Sequence, residues 1–303
     1  LDNIDLSKAV TQNIFSENSI SANILRLDLI HNVISGNKYF KLKYHIDEAL
    51  KKGFKNILTY GGAYSNHIIA TALSGQVNKL KTIGVIRGER PENLSHTLQN
   101  ALDYDMQLKF ISRSDFKNRN NLEFLEALKS EFGDFYMVPE GGDSELGRLG
   151  SKEILELTDY KKYTHIISSI GTGTMYFGLV NSSDLNQKII GIPALKGMDN
   201  FLSENSYKIE NKEKYPNCHI IANYHFNGYA KKNQILIDFM NQFYQKTKIP
   251  TDFVYTGKLI YAFFDLIKND YFPQNSQILL IHSGGLQGNL SLKNQENKSL
   301  LLF

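Results

Sequence analysis

The chain has 303 residues, 42% of them hydrophobic and 12% aromatic, enough for one large α/β domain or two smaller ones. Its formal net charge is +3 with lysine and arginine dispersed, which argues against a nucleic-acid or acidic-membrane surface, and no run reaches 18 apolar residues, which argues against a membrane span. A single cysteine, Cys218, permits no intrachain disulfide and fits a reducing, cytoplasmic setting with an inert thiol, and the start, Leu1-Asp2-Asn3-Ile4-Asp5, shows no secretory signal pattern.

Residues 2–20 are polar and mixed and read as an arm or short helix. Ile24–Ile30 reads as a strand, followed by the turn Gly36-Asn37-Lys38 and a helix to Leu50 whose Leu42, Ile46, Ala49 and Leu50 share a face. From 56 to 138 strands and helices alternate. Strands are expected at Asn56–Tyr60, Lys81–Arg87, Gln107–Ile111 and Phe135–Val138, and helices at His67–Gly75, Leu94–Tyr104 and Asn121–Phe132. That alternation predicts a parallel sheet with helices on both faces. After Pro139–Asp143 come a helix over Gly147–Tyr160, a strand over Thr164–Ile170, the turn Gly171-Thr172-Gly173-Thr174 and an apolar helix from Met175. Strands follow at Lys188–Pro193, His219–Tyr224 and Gln277–His282, with a polar helix and loop over 197–216 and helices at Ile235–Gln245 and from Lys258 to Asn269. No internal repeat or low-complexity tract is visible.

Five turns at strand ends concentrate the chemistry, and in open parallel sheets that edge is where ligands bind. In Ser35-Gly36-Asn37-Lys38 a lysine enters a helix at its positive end, which disfavours an ammonium and suits an amine that must attack an aldehyde; the competing reading is a solvated face of Lys38, Lys41 and Lys43. Gly171–Thr174 reads as a phosphate cradle, with glycine for close approach of backbone amides and a helix N-terminus behind it. Tyr176 occupies the sixth position, where a dinucleotide fingerprint needs glycine, and the P-loop Gly-Lys-Ser/Thr is absent. Gly61-Gly62-Ala63-Tyr64-Ser65-Asn66-His67 has the same layout and suits a carboxylate, with Ser65 or Asn66 alternatively a helix cap and His67 alternatively a packing residue. Tyr229, in Asn227-Gly228-Tyr229, and Tyr255, before Thr256-Gly257-Lys258, could stack on a ring or move a proton, although 17 tyrosines make core packing a strong rival. His282-Ser283-Gly284-Gly285 ends the last strand with a hydroxyl. No His-Glu-x-x-His, cysteine pair or Gly-x-Ser-x-Gly is present, so neither a metal site nor a serine-hydrolase elbow is expected.

Taken in order, Ser-Gly-Asn-Lys at 35–38, Gly-Gly-x-x-Ser-Asn at 61–66, Gly-Thr-Gly-Thr at 171–174, His-Phe-x-Gly-Tyr-Ala-Lys at 225–231, Val-Tyr-Thr-Gly-Lys at 254–258 and His-Ser-Gly-Gly at 282–285 resemble the family of D-cysteine desulfhydrase and 1-aminocyclopropane-1-carboxylate (ACC) deaminase. The resemblance implies pyridoxal 5'-phosphate (PLP) as cofactor. It also implies the type II, tryptophan synthase β-subunit-like fold: two α/β domains with open, twisted, mostly parallel sheets, 47–142 inserted between 1–46 and 143–303, and a homodimer. By resemblance Lys38 is the Schiff-base lysine, Asn37 its neighbour and Lys41 a group near the phosphate. Asn66 would meet the ring oxygen, and Gly171, Thr172, Gly173 and Thr174 the phosphate. Ser65 would take the substrate carboxylate, with Tyr64, Asn66 and His67 around it, and Tyr255 and Tyr229 would be the active-site tyrosines. ACC deaminases carry a glutamate at the position of Thr256 and a glutamine at that of His67. Here Thr256 or Ser283 would meet the pyridine nitrogen, and a hydroxyl there favours β-elimination over cyclopropane opening. Three functions are therefore expected to compete: a D-cysteine desulfhydrase-like lyase releasing pyruvate and ammonia, an ACC deaminase (a deaminase of the hydrolase type), and an amino-acid-sensing protein with little turnover.

Overall fold

The structure is a computed structural model, and residues 4–292 are described. Ten strands form two sheets: β1 Thr11–Glu17, β2 Ile20–Arg26, β3 Asn56–Gly61, β4 Lys81–Arg87, β5 Met106–Ile111, β6 Tyr136–Val138, β7 His165–Ile170, β8 Lys188–Pro193, β9 Cys218–Ile220 and β10 Gln277–His282. One sheet has the order β1-β2-β10-β7-β8-β9 and the other β5-β4-β3-β6. Every neighbouring pair is parallel except β1 and β2. The inner strands are apolar on both faces because helices cover both, and Ile24, Ile166, Ile167, Ile190, Leu279 and Leu280 have no exposed surface. No described helix is long and apolar enough to cross a membrane.

Residues 11–26 form an antiparallel hairpin in place of the expected arm and later strand; residues 2 and 3 lie outside the described residues. The polar run Gln12-Asn13 misleads because β1 is an edge strand. At its bulge the Asn13 amide donates to the carbonyls of Phe15 and Ala22, 3.2 Å each, so polar side chains there serve the ladder. The chain leaves β2 at Arg26 and makes a 3-10 turn at Leu27–Leu29. The helix that follows spans Asn37–Lys51. Leu42, Ile46 and Ala49 are buried, but Leu50 is exposed, since eight residues at helical pitch carry it about 80° past Leu42. The helix expected over 147–160 is Glu145–Lys152 followed by 3-10 turns. The strand expected over 219–224 stops at Ile220, and 197–216 holds only short helical turns. Cys218 is buried in β9, and burial pushes its thiol up to about 11, out of reach of thiolate chemistry near neutral pH.

Candidate active site

The Gly36 turn is locked against the end of β10. Gly36 has φ +64°, and a Cβ there would lie 1.9 Å from the Ser283 carbonyl oxygen, so only glycine fits. Asn37 N–H donates to that oxygen at 3.2 Å, and Gly285 N–H donates to Ser35 Oγ at 3.3 Å. This sets Lys38 in the first helical turn, on the wall of a cavity of about 630 Å³. Lys38 Nζ donates to Asn37 Oδ1 at 2.7 Å. Burial pushes the amine down to about 8, partly offset by the Asp252 carboxylate; burial thus does most of what the helix end was expected to do.

The cavity collects residues from both sheets. Asn37, Lys38, Lys41, Gly62, Tyr64, Ser65, Asn66, His67, Gly171, Thr172, Gly173, Tyr229, Tyr255 and Ser283 all line it. Ser65 caps the Asn66–Val77 helix, its Oγ accepting from the N–H groups of His67 and Ile68. Its hydroxyl hydrogen has no acceptor among the described residues, so the cap and the ligand readings of Ser65 are compatible. Asn66 Oδ1 accepts from Gln287 Nε2 at 2.6 Å, tying the small sheet to the segment after β10. His67 is buried with Nε2 3.0 Å from Thr59 Oγ1, and burial followed by the charges of Lys38 and Lys41 holds it well below the usual histidine range, hence neutral. Tyr255 meets Tyr229 edge-on with ring centroids 6.1 Å apart. Burial raises its phenol well above the usual value, Tyr229 adding to the effect, so it is a proton donor at neutral pH.

Two expected site residues fall behind the wall. Thr256 has no exposed surface; its hydroxyl donates to Asp252 Oδ2 at 2.5 Å and accepts from Asp252 N–H at 2.9 Å. It is therefore not a cavity group, and of the two hydroxyls expected at the pyridine nitrogen Ser283 is the one that lines the cavity, its Oγ 3.4 Å from Ser169 Oγ. Thr174 is likewise buried, its Oγ1 2.9 Å from Thr172 Oγ1 and 3.4 Å from Asp143 Oδ1. The hydroxyl facing the cavity from that turn is Thr172.

Sequence reading missed four residues. Asp252 accepts from the N–H groups of Val254, Tyr255 and Thr256 at 2.9, 2.7 and 2.9 Å and so holds the turn that presents Tyr255. Lys258, 1% exposed, donates to the carbonyls of Ala194, His225 and Gly228 at 3.4, 2.9 and 2.8 Å and so holds the loop that presents Tyr229. Arg87 and Glu140, from the ends of β4 and β6, also line the cavity, with Glu140 paired to Arg119 at 3.1 Å.

The donor set fits PLP. Lys41 is 6% exposed yet makes no hydrogen bond or ion pair among the described residues, which is costly for an ammonium unless an anion joins it. Gly142 packs on the Lys41 stem and Gly141 on the Thr172 side chain, and Lys41 and the Gly171–Gly173 turn line the same cavity. Gly173 has φ +88° and a Cβ there would stand 2.4 Å from the Phe201 ring, so only glycine fits this cavity-lining turn at the start of the Thr174–Ser182 helix, the kind of helix N-terminus that suits a phosphate. An amine lowered to about 8 should capture aldehyde at a rate that rises about tenfold per pH unit below about 8 and then levels off, whereas an ordinary lysine would keep rising to about 10.4. Stopped-flow absorbance on mixing with PLP measures this, and a midpoint near the ordinary value would contradict the geometry.

No family model matches the chain. It is 29% identical over 290 residues to a putative 1-aminocyclopropane-1-carboxylate deaminase of Pyrococcus horikoshii, covering 91% of this chain and 88% of that one. It is 27% identical over 292 residues to the bifunctional D-cysteine desulfhydrase/1-aminocyclopropane-1-carboxylate deaminase, mitochondrial, of Arabidopsis thaliana, covering 88% and 72%. Among solved structures it is similar to an ACC deaminase homologue, with TM-score 0.80, 26% identity, and 97% and 94% of the two chains covered. Fold and site together define a PLP-dependent enzyme of the type II fold. Within that class the chain is similar to proteins named as ACC deaminases and D-cysteine desulfhydrases, at 26–29% identity.

Proposed function

We propose that the chain is a lyase that removes the α-proton of a small amino acid and eliminates its β-substituent, in the manner of D-cysteine desulfhydrase, releasing pyruvate and ammonia, plus sulfide from cysteine. One observation carries the preference for elimination. Glu140 is the single carboxylate among the described residues that line the cavity, and it is already paired with Arg119. The Ser283 and Ser169 hydroxyls are then the groups available to the ring nitrogen. When bound, PLP supplies an electron sink for the pair left at Cα, and a hydroxyl partner makes that sink weaker. A weaker sink suffices when a good leaving group departs promptly.

In this reading Ser65 and the helix N-terminus behind it hold the substrate carboxylate. Lys38, once displaced by the substrate amine, is a base close to neutral pH and takes the α-proton. The Cβ–substituent bond breaks with its electron pair going to the leaving group, and the Tyr255 phenol supplies that group with a proton. Water then releases the nitrogen as ammonia. We further propose that 47–142 forms a unit that closes over the rest of the chain, since Gly62 to His67 line one side of the cavity and the Gly171 turn and Tyr255 the other; closure would exclude water from the reacting carbon.

The test is product release across D- and L-cysteine, β-chloroalanine and ACC. Pyruvate from the cysteines or chloroalanine supports elimination; 2-oxobutyrate from ACC would replace it with the deaminase reading; silence throughout would favour a sensor. With the productive substrate, Ser65→Ala should lower kcat/KM by roughly 10- to 100-fold, the worth of a charge-assisted hydrogen bond, while costing about 1 kcal/mol of stability through the lost cap. Unchanged kcat/KM would remove Ser65 from the carboxylate site.

A further inference from the structure

A second cavity, of about 690 Å³, adjoins the first, and the two share Ala63, Tyr64 and Arg87 as lining. Arg87 ends β4, on the sheet edge that faces both spaces. Its guanidinium reaches over the Gly62 turn, with Nη2 3.8 Å from where a Gly62 Cβ would be. It lies 5.6 Å from the centroid of the Phe116 ring, and its charge is felt by the Tyr229 phenol. Among the described residues it makes no hydrogen bond or ion pair.

The cations lining the first cavity are Lys38, Lys41, Lys232 and Arg87, with Lys232 over the Phe253 ring. Lys38 takes the aldehyde, Lys41 matches the phosphate, and Ser65 with its helix end takes the α-carboxylate. Glu140 has Arg119. The second cavity adds Arg113 and Glu89 to its lining, one charge of each sign. A planar guanidinium with five donors, exposed at the strand end but lining both cavities, matches a carboxylate, sulfonate or phosphate. We infer that Arg87 is a second anion subsite of the active site, and that the preferred substrates are amino acids bearing a negative group on the β-carbon side as well as the α-carboxylate. This rests on the amino-acid lyase reading above and narrows it.

Two ligands without an α-hydrogen isolate binding from turnover. α-Methylaspartate carries the second carboxylate, and isovaline has a methyl in its place. Calorimetric titration of the PLP-loaded chain with both enantiomers of each should give α-methylaspartate at least about a tenfold advantage for one enantiomer, the worth of one charge-assisted pair. In Arg87→Gln that ratio should fall to within about twofold, and Arg87→Lys, which keeps the charge but not the fork, should retain part of it. Equal affinities in the unaltered chain, or an advantage that survives Arg87→Gln, would overturn the subsite and leave the lyase reading standing. Binding of neither ligand would remove the amino-acid pocket itself, and the subsite with it.

Discussion

Replacing Lys38 with alanine should abolish β-elimination, by at least about a thousandfold, together with the absorbance at about 410–430 nm that PLP-loaded protein is expected to show. No described neighbour substitutes for it. Lys41, the adjacent cavity lysine, is held well below its usual range by burial and then by the charge of Lys38, but it is packed against Gly142 on the phosphate side. The same variant carries a stability signature with a definite sign. The Lys38 amine is lowered to about 8 in the folded chain against about 10.4 unfolded. Between those values the unfolded chain holds more protons, so the lysine's contribution to stability improves as pH rises through that window. Without cofactor, Lys38→Ala should therefore be more resistant to urea than the parent below pH about 8, and the difference should shrink toward pH about 10. A gap independent of pH would mean that the amine is not charged and buried in the resting fold.

Lys258→Met should cost about 1–3 kcal/mol of stability and lower kcat in the molecules that remain folded. The variant keeps the aliphatic stem but takes the ammonium from the Ala194 carbonyl and removes a second donor from those of His225 and Gly228, which keep the N–H groups of Gly228 and Lys231. Those carbonyls stabilise an awkward loop: Phe226, Asn227, Gly228 and Ala230 all have positive φ, at 50°, 68°, 118° and 54°, and left-handed backbone in non-glycine residues costs about 1 kcal/mol apiece. Released from Lys258, the loop should relax and take Tyr229 away from Tyr255. Urea unfolding gives the first number. The kcat of the folded fraction, measured with the substrate that turns over, gives the second, and a stable variant with intact kcat would show that the loop holds itself.

The glycine turns at 61–66 and 171–174 were legible because each follows an apolar strand and opens a helix, and the chemistry of glycine and hydroxyl at such a junction is local. Their convergence is also largely local in origin, since a parallel sheet puts the same ends of its strands together. What escaped was non-local. Thr256 looked like a ligand because it follows Tyr255, but the carboxylate that claims it, Asp252, lies a helical turn earlier in an unremarkable stretch. Lys258 looked like the end of a motif, and the three carbonyls that explain it come from residues 194, 225 and 228. Arg87 read only as the end of a strand. The β1–β2 hairpin was hidden because an edge strand tolerates the polar residues that an inner strand excludes.

The placement of β10 has a consequence for biosynthesis. That strand lies between β2 and β7, and the residue that follows it, Ser283, braces the Gly36 turn on which Lys38 depends. A nascent chain emerging from the ribosome therefore carries its reactive lysine early but gains the wall around it late. Cofactor loading should be a post-translational event, and chains arrested before the final strand should circulate without it.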